Sequence, residues 1–278
     1  MPLIGVDGFQ IFAVAAILFT AALIPISLSR TTSPSPPKTT KLRPSWIWRL
    51  SPVAAAGCVT LGLTNGAFRT VGPVYAQIMG LSVDQVALFM SLSIAAGALL
   101  QYPLGWLSDR TDRRVVLSMA TGLAAASSLA LAFLGNGSIT MVLIGGFLFG
   151  GFSLPLYSLS AAHANDHAKT GEFIELAAGL TLFYALGASA GPLVSALIID
   201  QFGAPAFFVY TASLHASFVL FVLYRMTKRA GVPTALRSKF VALLRTSPAI
   251  FRLSRSNRNN DPSSKSAHSP GDHGCRPD

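Results

Sequence analysis

The sequence predicts an all-α, polytopic membrane helix bundle of about seven transmembrane helices. Three observations predict it. The 278 residues are 51% hydrophobic and only 12% charged, with a mean hydropathy of +0.54, whereas soluble domains carry about 25% charged residues to cover their surface. Apolar runs of about 20 residues, the length that crosses a ~30 Å hydrocarbon core as a helix, recur along the chain. The Lys and Arg residues lie between those runs and in the tail, with one exception. A net charge of +10 arranged in this way is the pattern that orients spans in a lipid bilayer, and it argues against nucleic acid as a partner.

Seven spans follow in order, near residues 9–29, 52–79, 85–107, 115–134, 139–162, 176–199 and 204–226. The first is preceded by a single charge, Asp7, and lacks the basic leader of a cleavable signal. It is read as a lone transmembrane helix, 1–29. Segment 30–51 is a cytoplasmic linker. Its run Ser33-Pro34-Ser35-Pro36-Pro37 cannot hold a helix, because proline lacks the amide donor and restrains its predecessor. Trp46, Trp48 and Arg49 then form an interfacial anchor before the next span. Residues 52–226 make a block of six helices. Residues 227–278 are a basic tail, in which 236–245 (LRSKFVALLR) suits a short amphipathic helix on an anionic leaflet. From Ser254 onward low hydrophobicity predicts disorder. Cys58 falls in a span and Cys275 in the tail, so no structural disulfide is expected.

Charge counting sets the orientation. Twenty of the 21 basic residues fall in segments 30–51, 108–114, 163–175 and the region from Arg225 onward. The intervening connectors 1–8, 80–84, 135–138 and 200–203 hold none. By the positive-inside rule the basic side is cytoplasmic, which puts the N-terminus outside and the tail inside.

The most informative stretch is Gly105-Trp106-Leu107-Ser108-Asp109-Arg110-Thr111-Asp112-Arg113-Arg114, in the short connector between two spans. Gly105 permits a close helix approach. Asp109 is placed to accept from a helix N-terminus or to pair with an arginine. Arg110, Arg113 and Arg114 hold the connector on the cytoplasmic side. This run resembles the signature loop of the major facilitator superfamily, G-x-x-[AS]-D-[RK]-x-G-R-[RK], with Asp112 where glycine is usual. Asn65-Gly66-Ala67-Phe68, Gln101-Tyr102-Pro103-Leu104-Gly105 and Leu154-Pro155-Leu156-Tyr157, followed by His163-Ala164-Asn165-Asp166, look like its YcaD-like branch. The resemblance covers roughly residues 9–226. Two spans precede the loop within the block, and the linker looks like the family's central loop. The chain thus resembles helices six to twelve, the major-facilitator C-terminal half. Met1 stands where the preceding half would be ending, so a broken or mis-started gene is one expectation for this chain.

Other groups are weighed on their chemistry. Gly187-Ala188-Ser189-Ala190-Gly191-Pro192 fits a hydrolase nucleophile pattern, but that elbow needs a strand-to-helix turn, and this run lies mid-span. Gly187, Gly191 and Pro192 read instead as helix packing, G-x-x-x-G-P. Arg69 is the exceptional basic residue inside a span. It should face a cavity or partner, or snorkel to the outer interface, since an unpaired charge there costs about 2.5–3.5 kcal/mol. Asn65, one turn earlier, would share its face. Tyr75, Gln101, Tyr157, Tyr184 and His215 are further in-span polar groups that need partners or line a wet path. Glu172 and Glu175 start a helix, where carboxylates favour the positive dipole end. His163 and His167 are four apart beside Asp166, too few ligands for a metal site. Neither cofactor nor metal is expected.

The resemblance implies secondary active transport of an unidentified small solute by alternating access, not enzyme catalysis, in a cell (inner) membrane. One half supplies only one wall of a path. The expected partners are therefore the bilayer, an unknown small-molecule substrate, and a missing N-terminal half or a second copy. By the family's internal symmetry, Asp109 would dock on a helix of that missing half. A seven-helix receptor is the rival class. No span contains a lysine, which excludes a retinal Schiff base. An intramembrane hydrolase using Ser153 or Ser189 with His215 is a third class, and a non-functional fragment a fourth.

Overall fold

Proline opens three of the helices, while Pro73, Pro103 and Pro192 lie inside others. The computed structural model describes residues 9–28, 43–135, 138–169 and 172–228. All regular structure among them is helical. In order the helices are α1 (Gln10–Ser27), α2 (Pro44–Leu50), α3 (Pro52–Ile78), α4 (Val83–Arg110), α5 (Arg113–Leu134), α6 (Ile139–Ser153), α7 (Leu156–Asn165), α8 (Phe173–Phe202) and α9 (Pro205–Lys228). The chain divides into two units, residues 1–40 and 41–278. The first contains α1; the second holds everything discussed below.

Among the described residues five helical segments are long and apolar enough to cross a membrane, and a sixth is added if α2 and α3 count as one bent span. The expected seventh, 9–29, forms α1, whose 18 residues reach about 27 Å at 1.5 Å per residue, just short of the hydrocarbon thickness. The expected linker 30–51 is described from residue 43 onward. It contains α2, a seven-residue helix opened by Pro44 at a position where the missing N–H is no loss. Pro52 ends it. Ser51 adopts φ −144°, ψ 83°, and its Oγ accepts from the Ala54 amide, capping α3. The resulting angle between α2 and α3 is 116°. The expected span 139–162 is found as one candidate span, Ile139–Asn165, within which a short turn at Leu154-Pro155 separates α6 from α7, because proline removes one backbone bond and crowds the preceding turn. The proposed helix at 236–245 lies outside the described residues.

Lipid offers no hydrophobic drive between helices, so close backbone packing and buried polar bonds hold the bundle. α3 crosses α8 through small residues on both sides. A methyl at Gly62 would strike the Tyr184 carbonyl, and one at Gly187 or Gly191 the carbonyls of Val59 or Leu63. A Cβ at Gly66 would stand 2.7 Å from the Ala188 Cα. α4 meets α6 in the same manner. Gly150 touches the Ser93 backbone, and the Ser93 hydroxyl donates to the Gly146 carbonyl at 2.9 Å. α5 pairs with α9. One core cluster joins α2, α7 and α8 to the near halves of α3 and α5. The other is aromatic, built from Phe68, Tyr75, Phe89, Phe149, Phe207 and Phe208.

Candidate functional site

The loop between α4 and α5 is the most highly organised polar region. α4 ends at Arg110, and the Thr111 hydroxyl donates back to the Leu107 carbonyl at 2.8 Å. Asp112 is the N-cap of α5, with φ −64° and ψ 120°, and its carboxylate accepts from the Arg114 amide. It also takes the Arg114 guanidinium at 2.7 Å. The departure from glycine at Asp112 thus has a local rationale. The backbone there is extended, not left-handed, and a carboxylate satisfies a free α5 amide.

Arg113 is the hub. Its Nε donates to Asp166 at 2.7 Å, its Nη1 to the Ser108 hydroxyl at 3.2 Å, and its Nη2 pairs with Asp109 at 3.2 Å. The guanidinium fork therefore ties the end of α4 and the start of α5 to the end of α7. Asp109 meets an arginine of its own connector, four residues on across the Thr111-Asp112 turn. Arg110 lies over the Trp106 ring at 3.6 Å. Gly105 is buried in the last turns of α4. From sequence Asp166 entered only as part of the passage His163-Ala164-Asn165-Asp166 and as a neighbour of the His163 and His167 pair. The signal for its larger role was its place: a carboxylate in a connector on the same side as the arginine-rich signature loop.

A second polar cluster lies inside the bundle. The Ser153 hydroxyl donates to Asn65 Oδ1 at 2.8 Å and lies 3.3 Å from His215 Nε2, while His215 Nδ1 faces the Thr211 carbonyl at 2.8 Å. All three side chains are buried. Because Nδ1 faces a carbonyl it carries the ring proton, leaving Nε2 an acceptor. One hydroxyl proton then serves two acceptors, so the cluster has two hydrogen-bonding arrangements. It sits where α6 breaks, and joins that break to α3 and α9. Ser153 entered the sequence reading only as a nucleophile candidate; its partners are α3 and α9 side chains.

The other in-span groups do not converge on one place. Tyr157 meets the Thr181 hydroxyl at 3.3 Å and stacks edge-on with Tyr184 at 5.7 Å. Gln101 donates to Ser158 at 3.0 Å. Tyr75 is buried among Phe89, Phe207 and Phe208, with its hydroxyl bonded to the Leu131 carbonyl. Arg69 is exposed while Asn65 is buried, so the shared polar patch of these two does not form. At the start of α8, Glu175 accepts two bonds from Arg43, at 2.8 Å and 3.0 Å. That bidentate contact holds its carboxyl below the ordinary carboxylate range. Glu172 stands at the N-cap position, yet its carboxylate accepts from the Lys169 amide at 2.9 Å instead of capping α8. His163 and His167 stack edge-on at 4.9 Å.

Residues 53–258 match the Major Facilitator Superfamily model. The chain belongs to that superfamily. Among curated proteins it is similar to an uncharacterized MFS-type transporter of Enterobacter sp. (strain 638), 25% identical over 73% of this chain and 52% of that protein. It is likewise similar to one of Yersinia pestis (strain Pestoides F), 27% identical over 60% of this chain and 42% of that one. The uncharacterized MFS-type transporter YcaD of Escherichia fergusonii is 24% identical, over 78% of this chain and 56% of its own length. The chain spans about half the length of the curated relatives it matches. Its membership and its apolar helices make it a multi-pass membrane protein, and the likeness is to the YcaD-like branch.

Proposed function

We propose that this chain is the C-terminal half of a secondary transporter, carrying a small solute by alternating access together with a second helical body. The observation that carries the reading is the uneven covering of the spans. Of the most apolar stretch of each helix, 28% is buried in α4 and 22% in α8, against 56% in α5. The uncovered positions of α4 and α8 include Ser91, Tyr102, Thr181 and Ser189, side chains that suit contact with protein or a watered path better than contact with lipid tails. The second body is a missing N-terminal half or a second copy, and the solute binds between the two. Tyr157, with Thr181 at the uncovered edge, is the group best placed to meet it. The cell (inner) membrane is the proposed location, with the Arg-rich connectors and the tail on the cytoplasmic side.

Cysteine accessibility tests this. Thr181→Cys, Ser189→Cys and, as a lipid-facing control, Leu220→Cys are made with Cys275 replaced by Ser. Each is exposed in membranes to a water-soluble thiosulfonate. The proposal expects reaction at positions 181 and 189 and none at 220. If all three are equally inert, the α8 face meets lipid and the reading fails.

A further inference from the structure

The chain has three tryptophans, and all three stand at one end of the bundle beside an arginine. Trp46 and Trp48 lie on α2, just before α3 begins; Trp106 lies in the last turns of α4, which returns to the same end. The Arg43 guanidinium is 5.5 Å from the Trp46 ring, and that of Arg110 is 3.6 Å from the Trp106 ring. Arg49 follows Trp48 directly.

These arginines differ in what they have left to give. Arg43 is committed to Glu175 through two hydrogen bonds. Three other carboxylates at this end are occupied too. Asp109 and Asp166 pair with Arg113, and Asp112 with Arg114. Arg49 and Arg110 have no ion pair or hydrogen bond from their side chains among the described residues. A guanidinium held over an indole ring by cation–π attraction still has N–H donors to give to an anion.

The platform beneath them is fixed. α2 turns 116° from α3, and Ile47 is fully buried in a notch at Gly179, where a methyl would overlap its Cδ1. Trp48 and Trp106 remain 46% and 49% exposed. A half-exposed indole with an unpaired guanidinium, at the end of a membrane span, matches the glycerol and phosphate levels of a lipid. A zwitterionic lipid balances its phosphate with its own ammonium; an anionic lipid does not.

We infer that Arg49 beside Trp48, and Arg110 stacked on Trp106, bind the phosphates of anionic phospholipid of the phosphatidylglycerol kind in the leaflet at that end. This requires only that α3 and α4 span, and is independent of what the protein carries.

The three tryptophans report their own surroundings, so intrinsic fluorescence of the full chain in vesicles provides the test. Brominated phosphatidylglycerol and brominated phosphatidylcholine are compared as quenchers at equal mole fraction. The expected result is an apparent preference of about fivefold for the anionic quencher, the effect of roughly one basic side chain at a charged surface. The preference falls toward one in Arg49→Gln/Arg110→Gln and, with the native chain, in 1 M salt. Equal quenching of the native chain by both lipids overturns the proposal. So does a preference that survives in the double variant, since the tail's basic residues would then be its source.

Discussion

Arg113 Nε donates to Asp166 Oδ2 at 2.7 Å, with both side chains only 2% exposed. The two residues are 53 positions apart and belong to different connectors, so the contact clasps the α4–α5 turn to the end of α7. Removing one partner leaves a buried charge without its main counter-ion, a loss of about 3–5 kcal/mol. Asp166→Ala should therefore lower the thermal unfolding temperature in detergent markedly. The reciprocal exchange Arg113→Asp/Asp166→Arg should recover part of the loss. An unchanged midpoint in Asp166→Ala would remove the clasp from any account of stability.

The α3–α8 crossing makes a sharper, steric prediction. A methyl at Gly187 meets the α3 backbone at Val59, whereas one at Gly122 in α5 meets nothing within 4 Å. Gly187→Ala should destabilise the bundle by roughly 2 kcal/mol or more, as overpacking against rigid backbone does. Gly122→Ala should be neutral or stabilising by about 0.5–1 kcal/mol, through helix propensity alone. Chemical denaturation of the two variants side by side decides it; equal effects would mean that the crossing is soft.

Much of this architecture was legible because lipid leaves a span so few options. Backbone groups must bond within the segment, so hydropathy and length located residues 52–79 against an observed α3 of Pro52–Ile78, and 204–226 against an α9 of Pro205–Lys228. The same logic does not reach α2, which is seven residues long and takes its place from Ile47 and Arg43 contacts made across 132 residues of sequence. The α6–α7 turn was not anticipated within 139–162, although Pro155 stands there and a proline in a helical run costs a bond. Gly62 and Gly66 carried the same spacing as Gly187 and Gly191, and only the fold shows that the two motifs face each other. The signature loop was readable as a motif, but its wiring was not. Neither Asp166 as the partner of Arg113 nor Ser153 as the partner of Asn65 follows from spacing, because both contacts depend on helix order in three dimensions.

The Arg43–Glu175 contact gives a pH dependence with a definite sign. The folded state holds the Glu175 carboxyl below the ordinary glutamate range, chiefly through the hydrogen bonds from Arg43. A depressed carboxylate contributes stability that is fully present above the unfolded value and is lost as pH falls through the folded one. Arg43 stays charged throughout. Seating of α2, followed by Trp46 and Trp48 fluorescence, should hold steady from neutral pH down to about 4.5 and decline below it. Glu175→Gln should show the released signal already at neutral pH and lose this acid transition. A transition of native size in that variant would assign it to another carboxylate.

The buried cluster at the α6 break tests whether its hydroxyl joins three helices or merely fills space. Ser153 is the shared contact of Asn65 and His215, and both of those lose it together if the hydroxyl goes. Ser153→Ala should cost about 1–3 kcal/mol, the range for leaving buried polar groups unsatisfied. Bonds between membrane helices sit toward the lower end of that range. Ser189→Ala makes the proper comparison, because the Ser189 hydroxyl is exposed and donates only to the Ala185 carbonyl of its own helix. It should stay within about 0.5 kcal/mol of the native protein. The replacement Ser153→Ala/His215→Phe/Asn65→Leu carries the argument further. Removing all three polar groups should be less damaging than the sum of the single changes, since no buried partner is then left alone. Additive losses in that triple variant, measured by denaturation in mixed micelles, would show that the three side chains act separately and do not form one node.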